Sequence, residues 1–256
     1  MGLYVVGMHR SGTSALAGLL SSLLQLPAGR LAVVSNPTGQ WERPELRPAL
    51  ELVLAWNNTT WASPPPETAT LACAAPLASY ATRVFERHCV DPFLWKDPRL
   101  CLTIDRWLAL PQPEPRIVVL HRRPDEVADS LQRRNGWPTE RGLALWERTT
   151  RNAVVRLGGR EVFVVDHAEL LAEPDQTAAD LGRWLGQPDP DASARAAATV
   201  QRRDRAPEET GSAQPAGSVQ LTDAQAALAG RLAGHRGPTR LGLDGICLLY
   251  TSDAAD

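Results

Sequence analysis

Blocks of uninterrupted apolar residues alternate along this chain with blocks whose apolar residues recur at helical spacing. Leu3–Val6, Phe93–Trp95, Arg116–Leu120 and Glu161–Val165 are of the first kind, and such runs mark strands covered on both faces of a sheet. Helical spacing covers Thr13–Leu24, Leu46–Trp56, Leu71–His88, Leu100–Leu110, Asp125–Gln132 and Gly142–Leu157. Glu169–Leu171, Thr177–Leu185, Ala192–Val200 and Thr222–Gly234 continue it, the last opened by a Thr/Asp capping signal. Pro124 suits a first helical turn, where its missing N–H costs nothing, whereas Ser63-Pro64-Pro65-Pro66 ends regular structure. The alternation predicts an α/β fold of three layers, a central parallel sheet flanked by helices and wound by right-handed crossovers.

Residues 1–187 carry that alternation and are expected to form the core. Residues 188–245 read as a helical and loop extension of the same domain, with a loop over Gln201–Gly217. Ile246–Asp256 (ICLLYTSDAAD) continues no pattern and reads as a non-native tail. Composition changes this picture little, since 43% apolar and 22% charged residues are ordinary for a globular chain. A net charge of −2 offers no general polyanion-binding surface, so neither nucleic acid nor a membrane is expected as a partner. No leader precedes the first strand and no apolar run reaches the length of a membrane span, which predicts a cytoplasmic location. Cys73, Cys89, Cys101 and Cys247 are scattered, as expected of reduced, mostly buried thiols. No HExxH, EF-hand or paired CxxC is present, and no metal is expected.

Candidate chemistry lies on the loops that follow the strands, where ligands bind on such sheets. Between Leu3–Val6 and the first helix runs Gly7-Met8-His9-Arg10-Ser11-Gly12-Thr13-Ser14. Glycines that permit positive φ turn successive N–H groups inward, and the helix start adds unpaired donors, so the stretch is built to hold an anion. Gly7 and Gly12 have the spacing of GxxxxGK[ST], but Thr13 stands at the lysine position and the charge sits earlier, at Arg10. That disfavours a nucleoside triphosphate kinase. HRSGTS resembles the 5′-phosphosulfate loop of sulfotransferases that use 3′-phosphoadenosine 5′-phosphosulfate (PAPS), a family whose fold is of the P-loop type.

A second anion site is legible at the end of Arg116–Leu120. Arg122 follows that strand, Ser130 lies eight residues on, and Arg134 is four beyond Ser130, all on one helical face. Two guanidinium groups and a hydroxyl suit a phosphate monoester. RRPDEVADSLQRR resembles the family's 3′-phosphate motif, and Arg134 matches its tyrosylprotein branch, whereas Arg123 stands where the cytosolic branch often has Asn. The strand also lacks a terminal Asp that would serve as a magnesium ligand.

The chain holds one lysine, Lys96, against twenty-six arginines. A position that keeps lysine in such a chain points to a need for a compact, mobile ammonium. WKDPRL, which contains it, resembles a motif of bacterial and carbohydrate-type sulfotransferases. The resemblance therefore implies PAPS as co-substrate, without a metal, and transfer of its sulfuryl group in line to a hydroxyl or amine of a carbohydrate or small-molecule acceptor. Arg10 and Lys96 would stabilise the transferring charge. Ser11, Gly12, Thr13, Ser14, Arg122, Ser130 and Arg134 would join Arg10 in holding the donor. Glu42, in GQWERPEL, is the expected general base, with His9 and Asp97 as alternatives. Trp41, Asp97 and Arg99 are expected to contact the acceptor, and Trp56 and Trp61 lie in the same acceptor-binding region or in the core. Two rivals stay open: a P-loop nucleotide or small-molecule kinase, and a non-catalytic nucleotide binder.

Overall fold

The computed structural model describes residues 1–26, 41–204 and 220–242, the side chains of 201–204 excepted. The first half holds β1 (Gly2–Val6), α1 (Thr13–Leu24), α2 (Arg47–Trp56), α3 (Ala75–His88), β2 (Phe93–Lys96), α4 (Leu100–Leu108) and β3 (Arg116–His121). There follow α5 (Pro124–Asn135), α6 (Thr139–Leu157), β4 (Glu161–Asp166), α7 (His167–Ala172), α8 (Pro174–Trp184), α9 (Pro190–Asp204), α10 (Asp223–Ala233) and β5 (Gly237–Arg240). The strands order as β2-β1-β3-β4-β5, the first four parallel and β5 antiparallel to β4.

Side-chain alternation along the strands divides the core in two. Tyr4, Val6, Trp95, Ile117, Val119, Val162 and Val164 face one side, where α2 to α6 and α10 bury Leu50, Phe85, Trp107, Leu131, Trp146 and Leu228. Leu3, Val5, Leu94, Val118, Leu120, Phe163 and Val165 face the other, covered by α1, α7, α8 and α9 through Leu16, Leu20, Leu170, Leu181 and Ala196. Both faces are dry, which is why the strands read as continuous apolar runs.

The departures from expectation have local causes. The sheet is not wholly parallel: β5, with the sequence GPTR, was not foreseen, because Gly and Pro carry no strand signal. An edge strand tolerates proline, and Pro238 pairs in register with Phe163. The third helix begins at Ala75 rather than Leu71, with Pro76 in its first turn. The start of the expected loop over Gln201–Gly217 is helical, since α9 runs to Asp204; the rest of that loop and the tail at Ile246–Asp256 lie outside the described residues. The capping signal before α10 is realised as a full capping box between Thr222 and Gln225.

Residues 57–74 contain little regular structure, and polar side chains hold their backbone in place. Asn152 of α6 donates to the Pro65 carbonyl at 2.9 Å, and Arg156 to that of Ala69 at 2.9 Å. Arg106 donates to the Leu71 carbonyl at 3.1 Å, and Asn57 to that of Ala72 at 2.9 Å. The same α6 packs so closely on α5 that a Cβ at Gly142 would lie 2.8 Å from the Ala128 Cα. Gly142→Ala is expected to push α6 off α5 and to lower stability by about 1–3 kcal/mol in denaturant unfolding; an unchanged midpoint would show that the helices yield without cost.

Candidate active site

Register brings the loops of interest to one edge. Val5 pairs with Lys96, Val6 with Val119, and His121 with Asp166, so the chain leaves the sheet side by side at Gly7, Asp97, Arg122 and His167. Gly7 is pressed onto β3, where a Cβ would sit 2.9 Å from the Leu120 carbonyl oxygen. Arg10 at φ 70° and Gly12 at φ 88° are left-handed and turn the loop back into α1. Gly12 is the N-cap of α1 and makes no side-chain cap, so the helix start presents its N–H groups outward. Ser11 and Thr13 are buried and Ser14 partly so.

Two side chains that sequence reasoning missed shape this turn. The ring of His167 occupies the space that a Cβ on Gly12 would need. His167 opens α7 because Asp166 caps that helix, accepting from the Ala168 N–H at 2.8 Å and the Glu169 N–H at 3.4 Å. The Asp-x-x-Glu spacing of Asp166 and Glu169 was a readable start signal. On the other side, the buried Trp146 donates its indole N–H to the Arg122 carbonyl at 3.1 Å and ties the end of β3 to α6.

The two anion sites read from the sequence come together as one cradle. Arg10 Nε donates to Ser130 Oγ at 2.8 Å, across the gap between the glycine loop and α5. Arg122 Nη1 donates to the Arg10 carbonyl at 3.0 Å, while its Nε pairs with Glu126 at 2.9 Å. Arg134 lies one turn beyond Ser130 in the last turn of α5. Loop, strand end and helix therefore contribute cations and a hydroxyl to one place.

Beside the cradle is a buried ionic cluster. Lys96, only 2% exposed, lies 3.2 Å from Glu42 through Nζ and Oε1. Arg99 holds Asp97 at 2.9 and 3.1 Å, reaches Glu51 at 3.2 Å, and stands 3.9 Å from Glu42. Asp97 also accepts from the Arg99 N–H at 2.8 Å; burial pushes its carboxyl above the ordinary range, and Arg99 pulls against that shift. Glu42 is delivered by its neighbour Arg43, which donates to the Leu94 carbonyl of β2 at 3.0 Å. Arg43 carried no motif signal and was missed. Trp41, expected at the acceptor, packs its indole against α1 at Gly18. Trp56 is 57% exposed at the end of α2.

His9 joins these parts. Its ring lies tilted against Trp61 at 4.3 Å, Trp61 stacks on Trp137 at 5.5 Å, and the Arg141 guanidinium lies 4.1 Å above the Trp137 ring. Burial, with the charges of Arg99, Lys96, Arg134 and Arg10, holds the His9 imidazole well below its usual range, in the neutral form. A cavity of about 600 Å³ between β4, α8 and β5 is lined by none of the predicted site residues.

Comparison with known proteins identifies the family and the fold. A family model described as sulfotransferase family matches residues 3–191. The fold is similar to the sulfotransferase domain of the Synechococcus PCC 7002 olefin synthase, at 16% identity and a TM-score of 0.51, covering 91% of this chain and 94% of that one. It is also similar to the sulfotransferase domain from the curacin biosynthetic pathway, at 14% identity and a TM-score of 0.52, covering 91% and 98%. None of the curated proteins matches significantly.

Two outcomes test the electrostatics. Arg99→Met strands the buried Asp97 carboxylate and is expected to cost about 3–5 kcal/mol in denaturant unfolding, part of which Asp97→Asn recovers in the double variant. If the double variant is no more stable than Arg99→Met alone, the pairing is not the cause. His9 and His121, both held below the ordinary 6.5, take up protons less readily folded than unfolded. Their contribution is complete above that value and is lost as pH falls below it, by up to about 1.4 kcal/mol per pH unit for each group. Asp97 acts in the opposite sense at lower pH, so the comparison is made between variants. His9→Gln is expected to show a shallower loss of stability between about pH 7 and about pH 5.5 than the wild type; equal slopes would mean that His9 titrates normally.

Proposed function

This chain belongs to the sulfotransferase family, and on that premise we propose that it moves a sulfuryl group from PAPS to a hydroxyl or amine of a carbohydrate or small-molecule acceptor. The observation that carries the reading is the hydrogen bond from Arg10 to Ser130, reinforced by Arg122 on the Arg10 carbonyl. It brings the two donor sets into direct contact. The preference for a nucleotide with phosphates at its 3′ and 5′ positions over a nucleoside triphosphate comes from family membership and from the resemblance of the two motifs. The residues present fit such a donor: an uncapped helix start, a turn with no room for a Cβ at Gly7 or Gly12, and guanidinium groups suited to tetrahedral oxyanions.

When bound, the donor supplies an activated sulfuryl group on a good leaving phosphate. In this reading the chain mainly positions and stabilises spreading negative charge, as in phosphoryl transfer. Arg10 and the N–H groups of Ser11 to Ser14 meet the charge that grows on the leaving oxygen, with the hydroxyls of Ser11, Thr13 and Ser14 beside them. Arg122, Ser130 and Arg134 hold the 3′-phosphate and thereby fix the nucleotide's direction. Lys96, on the neighbouring strand, faces the transferring group. Glu42, expected from sequence to be the base, is better understood as the counter-ion that keeps Lys96 in place, since the carboxylate bonds to it. Asp97 and Arg99 form the rigid floor under that pair.

The reading is tested by calorimetry with adenosine 3′,5′-bisphosphate and by transfer of radiosulfate from PAPS to a panel of sugars, phenols and lipids. Binding is expected without magnesium and at least tenfold tighter than that of ADP. Arg122→Ala or Ser130→Ala should each weaken nucleotide binding about tenfold or more, the loss of one or two charge-assisted bonds. Magnesium-dependent binding of ATP in preference to the bisphosphate would favour the kinase instead. Nucleotide binding with no transfer to any acceptor, water included, would favour a non-catalytic binder.

A further inference from the structure

The candidate active site lies at the carboxyl ends of the parallel strands, and a second gathering of cations lies at the opposite end of the sheet. There α4 and α6 finish, β4 begins, and β5 returns antiparallel so that Arg240 pairs in register with Glu161. A pocket of about 320 Å³ opens between these ends, lined among others by Asp105, Arg156, Gly158, Gly159, Arg160 and Arg240. Three guanidinium groups thus meet one carboxylate, in a chain whose net charge is −2. Among the described residues no other acidic side chain lines the pocket. Cations gathered in this way repel one another unless an anion comes between them.

The three arginines differ in how far they are engaged. Arg156, 7% exposed, is fixed: Nη1 donates to Asp105 at 3.0 Å, Nε to Asn152 at 3.2 Å and Nη2 to the Ala69 carbonyl. Each terminal nitrogen keeps a second N–H beyond those bonds. Among the described residues Arg160 pairs only with Glu114, at 3.5 Å and 82% exposed, a contact of the kind that contributes little. Arg240 donates only to the Gly159 carbonyl, at 3.3 Å. Capping of α6 does not account for this cluster. The Val155 carbonyl already accepts from the Gly158 N–H at 3.0 Å, and the Leu157 carbonyl from the Arg160 N–H at 3.1 Å. A helix end carries about half a negative charge, less than one guanidinium balances. Gly158 and Gly159 stand at φ 59° and 69°, and a Cβ on either would meet nothing within 4 Å. Open space over two left-handed residues without side chains lets a ligand approach the backbone. The Gly159 N–H has no acceptor among the described residues.

We propose that this pocket is a second anion site, separate from the donor cradle, and that it takes a tetrahedral oxyanion: phosphate, free or as the monoester of a small metabolite. Arg160 and Arg240 supply N–H groups to its oxygens, and a planar guanidinium matches such oxygens two at a time. Arg156 adds charge without moving, since Asp105 and Asn152 hold it in place. The volume is at the lower end of the range for small-molecule pockets, which suits a small anion rather than a nucleotide. The pocket lies where the strands start and the donor loops lie where they end, so the two sites share no residue.

Thermal unfolding of the full chain in inorganic phosphate, against chloride at the same ionic strength, tests the site. Phosphate can also enter the donor cradle, so the parent for the comparison is Arg10→Gln, which disables the cradle. Phosphate at about ten times its Kd is expected to raise the midpoint of that parent by about 2–4 °C. Adding Arg160→Gln and Arg240→Gln, both at exposed side chains, is expected to remove the rise, and calorimetric titration should show about tenfold weaker binding for either alone. Glycerol 3-phosphate in place of inorganic phosphate separates the two sources: tighter binding points to an organic carrier and equal binding to the free ion, and both uphold the site. In the otherwise wild-type chain, Arg160→Gln with Arg240→Gln should leave binding of adenosine 3′,5′-bisphosphate within about twofold, as expected of distant sites. No rise in the Arg10→Gln parent, or the same rise after both further substitutions, overturns the proposal.

Discussion

Like charges crowd the carboxyl edge of this sheet, and the rest of the site is arranged around their repulsion. Arg10, Lys96, Arg99, Arg122 and Arg134 emerge from the glycine loop, β2, β3 and α5 within one small region. Bare cations so close together would spread the loops apart, because Coulomb energies of a few kcal/mol persist at such separations near a protein surface. The chain answers with carboxylates placed behind the cations: Glu42 on Lys96, Asp97 and Glu51 on Arg99, Glu126 on Arg122. Side chains are thereby fixed in direction before any ligand arrives. An arrangement fixed in advance spends no binding energy on ordering when the charge of a reacting group appears.

The depth of the cluster varies, and so does its energetic meaning. Arg122 with Glu126 is partly exposed and of the kind that contributes little to stability. Arg99 with Asp97 is almost wholly buried, where neither member tolerates loss of the other. The deep pair supports the Lys96–Glu42 contact, and the shallower pair lets Arg122 lean onto the Arg10 carbonyl. Burial thus increases from the Arg122 side of the cluster toward the floor beneath Lys96.

Much of this was legible in the amino-acid order because parallel sheets buried on both faces leave unbroken apolar strands. Those strands located Gly7, Lys96 and Arg122 at a common edge, and helical spacing put Ser130 and Arg134 on one side of α5. What escaped reading acts through contacts that have no local pattern. Arg43 places Glu42 through a carbonyl of β2, Trp146 anchors Arg122 from α6, and Trp137 meets Trp61 across more than seventy residues. β5 escaped because an edge strand needs only a ladder partner, and its Gly-Pro start hides that role. Trp41 shows the same limit: an indole beside a polar motif reads as a ligand contact, and its packing against α1 at Gly18 has no local pattern that announces it.

The single lysine shows how composition and geometry converge. Most lysines are exposed because a compact ammonium is strongly hydrated, and burying one requires a partner. In a chain that uses arginine at every other cationic position, the one exception is also among its most buried charges, at 2% exposure. Arg99, three residues on, shows what a planar fork does there: it engages two carboxylates at hydrogen-bond distance and cannot turn toward anything else without breaking them. The Lys96 ammonium carries its charge on a compact head and donates to Glu42 beside that frame. The floor of the site therefore combines a guanidinium bound between two carboxylates with a buried ammonium paired to a third.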